Sequence, residues 1–223
     1  AWLMLYPDSV SVSSITNIEE QSKVYMFNAP PFRRSCMISP ETGCERLGIT
    51  GLTYPSFAYC AIASNQMKKI TCYPNTFGSI ECHSDTGSLD FIAEQLRELI
   101  LLYFSSVNAI VRKYLTHLSC RGCNKGTIKV GNVMHVDLAN GTYNISMQKC
   151  TVLDVFNSEL EAEIGEIDAI KCSEGDTYTF KLGYCRSLSF DSRALRIDIK
   201  ADRIESLALD KALNINLDIA CCG

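Results

Sequence analysis

The sequence predicts a mainly β protein with one long α-helix. Three observations carry that prediction: apolar–polar alternation from Cys120 onward, apolar residues at gaps of three and four before it, and an irregular opening stretch rich in proline and cysteine. Together they divide the 223 residues into a disulfide-rich irregular or β region ending in the helix, 1–119, and a C-terminal antiparallel β-sandwich, 120–223.

The opening stretch contains all six prolines: Pro7, Pro30, Pro31, Pro40, Pro55 and Pro74. Short apolar runs broken by such residues read as short strands and loops held by local cross-links. The helix, about 88–118, opens at Ser88 as N-cap, with Asp90 and Glu94 near the positive end of its dipole. Its apolar positions are Ile92, Leu96, Leu99, Tyr103, Val107, Ile110 and Tyr114. Arg112, Lys113 and His117 fall near its negative end. The spacing suits a core helix, or a seam through which the protein meets a partner or another copy of itself.

Beyond Cys120 the period becomes two. Ile128/Val130, Met134/Val136/Leu138, Tyr143/Ile145/Met147, Leu160/Ala162/Ile164, Tyr178/Phe180/Leu182/Tyr184, Leu195/Ile197/Ile199/Ala201 and Leu213/Ile215/Leu217/Ile219 each alternate with polar residues. Each such run reads as a strand with one buried and one wetted face. Turn signals such as Ala139-Asn140-Gly141 and Ser173-Glu174-Gly175-Asp176 separate them.

The twelve cysteines are Cys36, Cys44, Cys60, Cys72, Cys82, Cys120, Cys123, Cys150, Cys172, Cys185, Cys221 and Cys222. An even number spread along the chain predicts disulfides and an oxidising compartment. Zinc is the rival reading, but Cys120-Arg121-Gly122-Cys123 is the single C-x-x-C and has no matching second pair. Asn140-Gly141-Thr142 and Asn144-Ile145-Ser146 are glycosylation acceptors, which supports an extracellular or lumenal location. No secretory leader is visible at Ala1–Tyr6, and the longest apolar window, Leu99–Val111, is too short for a bilayer. Any membrane anchor is therefore expected outside this sequence.

A net charge of −4 argues against nucleic-acid binding, which needs a basic face. No nucleophile elbow, H-E-x-x-H motif or phosphate loop is present, so no catalytic residue, metal ligand or cofactor is predicted. His83, His117 and His135 read as structural, and the acidic run Glu159, Glu161, Glu163, Glu166 and Asp168 as a solvated strand face. The expected function is non-enzymatic: an ectodomain of a cell-surface or virion envelope glycoprotein acting in binding or assembly. The alternatives are a secreted hydrolase-type enzyme and an intracellular or capsid assembly protein with free thiols.

Overall fold

A computed structural model of the chain describes the backbone at residues 2–5, 11–14, 23–26, 35–39, 46–53, 59–64, 69–73, 78–84, 87–191, 196–210 and 214–222. Side chains are described over 78–84, 87–190, 196–208 and 214–221. The strands before residue 87 are β1 (Trp2–Leu5), β2 (Ser11–Ser14), β3 (Lys23–Met26), β4 (Ser35–Ser39), β5 (Arg46–Thr53), β6 (Tyr59–Ser64), β7 (Lys69–Tyr73) and β8 (Ser79–Ser84). Eight more follow: β9 (Ser88–Leu102), β10 (Ser106–Arg121), β11 (Gly126–Ala139), β12 (Thr142–Phe156), β13 (Glu159–Ser173), β14 (Thr177–Asp191), β15 (Arg196–Asp210) and β16 (Ile215–Cys222).

From β9 to β16 each strand pairs in parallel with the next, so the chain winds as a β-solenoid, one coil per strand. The repeat is 17 residues between Gly126 and Tyr143, 18 between Leu160 and Tyr178, and 19 between Tyr178 and Ile197. The stack continues backwards: β7 pairs in parallel with the start of β9 and β8 with its end. At the far end β1 pairs antiparallel with β4, and β2 antiparallel with β5.

This architecture replaces the predicted sandwich. The strands after Cys120 pair in parallel, not antiparallel. No helix occurs among the described residues; the span 88–118 is β9, a turn and most of β10. A docking seam on that helix falls with it. Period two fixes only that one face of each strand is buried, and a solenoid coil with its inner face packed satisfies that as well as a sandwich does.

Each coil follows one burial plan. In β12 the inward residues are Tyr143, Ile145 and Met147, then Cys150, then Leu153 and Val155. Strict alternation breaks twice, at Gln148–Lys149 and at Thr151–Val152, where two successive side chains face outward and the strand turns a corner. The closing loop supplies the last bend. Each loop has a residue of positive φ, Tyr103 (60°), Gly122 (67°), Asn140 (51°), Asn157 (44°) and Glu174 (52°), and in the last of these loops Gly175 (147°) has one too. The loops also stack, Asn140 N–H donating to Phe156 O at 3.1 Å and Asn157 N–H to Ser173 O at 3.0 Å.

The core is a set of inward ladders. Leu96, Leu115, Val133, Cys150, Ile167, Cys185 and Ile204 form one, buried residues each in register with its equivalent one coil away. Two tyrosines plug the loop end of the core. Tyr143 O–H donates to Ala139 O at 2.8 Å, and Tyr178 O–H donates to Glu174 O, so each buried hydroxyl is satisfied. Gly126 lies beneath the Tyr143 ring, where a Cβ would come within 2.8 Å of its Cδ1. Tyr178, Phe180 and Phe190 pack as an aromatic cluster with centroids 5.8–6.3 Å apart.

The cysteines belong to this core. Cys120, Cys123, Cys150, Cys172 and Cys185 are buried thiols outside any disulfide, Cys221 is an exposed one, and Cys82 is buried as well. The predicted disulfide framework is thus corrected at these positions: a buried thiol packs as a small apolar side chain, and here it fills ladder sites also held by Val, Leu and Ile. The side chains of Cys36, Cys44, Cys60, Cys72 and Cys222 lie outside the described residues.

Candidate functional site

Stacking converts residues 17–20 apart in sequence into neighbours. The acidic run is the simplest case. Glu161 accepts from Asn144 Nδ2 at 3.0 Å, Glu163 pairs with Lys181 at 2.6 Å, Glu166 with Lys149 at 3.0 Å and Asp168 with Arg186 at 3.4 Å. The like charges along one strand are offset by partners in the coils on either side. The Glu163 carboxylate beside Lys181 holds its ammonium above the usual lysine range, chiefly through the hydrogen bond between them. Lys200 and Asp218 extend this flank, 3.6 Å apart.

A second flank, on the last arm of the coil, gathers two of the three histidines. His117 lies between two carboxylates, its Nδ1 3.2 Å from Glu98 Oε1 and its Nε2 2.7 Å from Asp137 Oδ2. His135 Nε2 faces two more oxygens, Asp137 Oδ1 at 3.2 Å and Asp154 Oδ2 at 2.9 Å. The two rings are 5.4 Å apart. Glu98, His117, Asp137, His135 and Asp154 thus form one unbroken polar chain across β9, β10, β11 and β12.

The solenoid dictates this arrangement. Glu98, His117 and His135 share a register position on consecutive coils, since His117 pairs with both Glu98 and His135. Asp137 and Asp154 share the outward position two residues further on. All five side chains are partly exposed, from 28% at Glu98 to 44% at His135. Asp137 and Asp154 also line a shallow groove of about 710 Å³ with Arg121, Phe156, Lys171 and Ser189. Phe156 is 45% exposed there.

One ligand atom each from His135, Asp137 and Asp154 lies within 4.8 Å of the others. These are the residues that could hold an ion. The sequence reading took both histidines as structural, and no local motif marks them: His135 and Asp154 become neighbours only once the coil length is known. His83 lies apart from this flank, its ring 5.5 Å from that of Tyr103.

The glycosylation acceptors both lie on the outside. Asn140 is exposed at the loop, accepting at Oδ1 from Asn157 Nδ2 at 3.0 Å, and Asn144 is exposed on the first arm. Cys120 and Cys123 are buried, and burial pushes both thiols up, as it does at Cys172.

Comparison with protein-family models, with curated proteins and with solved structures gave no match.

Proposed function

We propose that this chain is a non-enzymatic β-solenoid that works by binding and assembly, presenting its outer ladders to a protein partner or to another copy of itself. The observation that supports this most is the in-register repetition of outward positions. Side chains of the same kind of site recur every coil, about 4.8 Å apart, on flat flanks. Such a surface recognises by extended charge and shape complementarity, and Glu163, Lys181, Lys200 and Asp218 supply a ladder of two cations flanked by two carboxylates for it.

A photo-crosslinking residue at the exposed Asn216, beside this ladder, tests the proposal in the native source. The expected product is one discrete adduct, with a partner protein or a second copy, that Lys181→Glu with Lys200→Glu abolishes while the far-ultraviolet circular dichroism is unchanged. Absence of any adduct, together with substrate turnover that depends on His135, would replace this reading with an enzyme.

Two settings remain for such a protein, and each has its own support. The exposed Asn140 and Asn144 sequons favour a cell-surface or virion glycoprotein. The five buried thiols from Cys120 to Cys185 favour an intracellular or capsid assembly protein, because reduced cysteines persist in reducing compartments. Intact mass of the native protein, before and after glycan removal and thiol alkylation, separates the two.

A further inference from the structure

We propose that His135, Asp137 and Asp154 form a divalent metal site of zinc type on the outer flank of the solenoid, with His117 and Glu98 holding the ligands in place. The geometry already approaches what the ion needs. Zinc bound at about 2.0–2.2 Å to nitrogen and oxygen in a tetrahedron puts neighbouring ligand atoms about 3.3–3.5 Å apart. His135 Nε2 stands 3.2 Å from Asp137 Oδ1 and 2.9 Å from Asp154 Oδ2, and all three atoms fall within a 4.8 Å sphere of separation.

Proton counting points the same way. A ring nitrogen carries at most one hydrogen, yet His135 Nε2 faces two carboxylate oxygens. One N–H shared between both makes a bent, weaker three-centre bond, whereas a cation lying between the three atoms engages all of them, the nitrogen through its lone pair. The metal also balances the charge of two carboxylates.

The residues behind the ligands complete the pattern. Asp137 uses Oδ1 toward His135 and Oδ2 toward His117 Nε2 at 2.7 Å, so one oxygen is held while the other is left for the ion. Glu98 in turn fixes the His117 ring through Nδ1 at 3.2 Å. Ligands oriented by such outer hydrogen bonds are the usual construction of metal sites. Lys171, the register partner of Asp154 on the next coil, bounds the site on the β13 side.

One imidazole with two carboxylates suits zinc, cobalt or nickel. Calcium and magnesium prefer sets of oxygens alone. Three protein ligands leave a fourth position facing the groove, open to water or to a group carried by a partner.

Titration of the purified, chelator-stripped full chain with cobalt(II), then displacement by zinc, tests the site. The expected result is one saturable equivalent with the visible bands of a four-coordinate ion and no thiolate-to-cobalt charge-transfer band. His135→Ala and Asp154→Asn should each weaken binding by more than about tenfold, and Glu98→Gln by about tenfold or less. Asp154→Asn conserves shape, so it decides the matter if His135→Ala does not fold. A thiolate band, affinity unchanged in Asp154→Asn, or no saturable binding by the parent chain would overturn the proposal.

Discussion

A Cβ placed on Gly165 would stand 2.6 Å from the carbonyl oxygen of Gln148, one coil earlier. Gly183 sits in the same way over the carbonyl of Gly165. Both glycines lie at the first corner of a coil, where the backbone of one turn presses on the next. Alanine at either position has backbone, not a movable side chain, to displace. Gly165→Ala and Gly183→Ala should each destabilise by about 1–3 kcal/mol, read as a lower urea midpoint with unchanged slope.

The closing loop offers the opposite change. Glu174 is exposed and holds a φ of 52°, where a side chain without local hydrogen bonding is disfavoured by about 1–2 kcal/mol. Asparagine already occupies the equivalent place in the two preceding loops, and Asn157 donates to Asn140 across them. Glu174→Asn should therefore stabilise by about 0.5–1 kcal/mol and raise the thermal midpoint. A lower midpoint would mean that the loop strain is not where the dihedral places it.

Removing only the Tyr143 hydroxyl, as in Tyr143→Phe, should cost about 1 kcal/mol, because it removes one of the two donors to the Ala139 carbonyl and leaves only Gly122 N–H there. Tyr143→Ala also opens the space above Gly126 and should cost about 3–5 kcal/mol. Equal losses for the two variants would show that the ring contributes little beyond its hydroxyl.

The buried thiols make stability fall in alkali. Burial pushes Cys150 up to about 12 and Cys185 up to about 11, from an ordinary thiol value of 9.0. The unfolded chain therefore loses these protons first. Stability is fully present below pH 9, declines as pH rises above it, and has lost this contribution by about pH 12. Cys150→Val with Cys185→Val, matching Val133 in the same ladder, should flatten that decline in a series of urea midpoints against pH. An unchanged decline would assign it to other groups.

The inward half of each strand was legible. Ile128/Val130, Tyr143/Ile145/Met147, Leu160/Ala162/Ile164 and Tyr178/Phe180/Leu182 are all buried where alternation placed them. Met134 is not: it follows a corner and is 48% exposed. The same corners produced the false helix. Inward gaps in β9 are two and three, as from Ala93 to Leu96 to Leu99 to Leu101, and gaps of three resemble a helical stripe. The stripe read from the sequence mixed inward Leu96, Leu99 and Val107 with outward Ile92, Tyr103 and Ile110. What remained hidden was the repeat itself, because its length drifts from 17 to 19 residues and few identities recur. Without that length, the coming together of His117, His135, Asp137 and Asp154 has no local trace. The buried thiols were misread for a related reason: cysteine number suggests cross-links, while burial in a ladder depends on which coil position each one takes.

The drift in coil length shows where this chain tolerates editing. Between coils the arms keep their register, and the extra residues are taken up at loops and at the corner after Val111, where the pairing of β10 shifts. Adding one residue inside an arm would turn every following side chain of that arm inside out. Adding several at the loop after Asn140 or Asn157 would leave both neighbouring arms seated. The loops are thus natural points for grafting a foreign peptide, and a series of such grafts would be displayed as a column at the pitch of the solenoid.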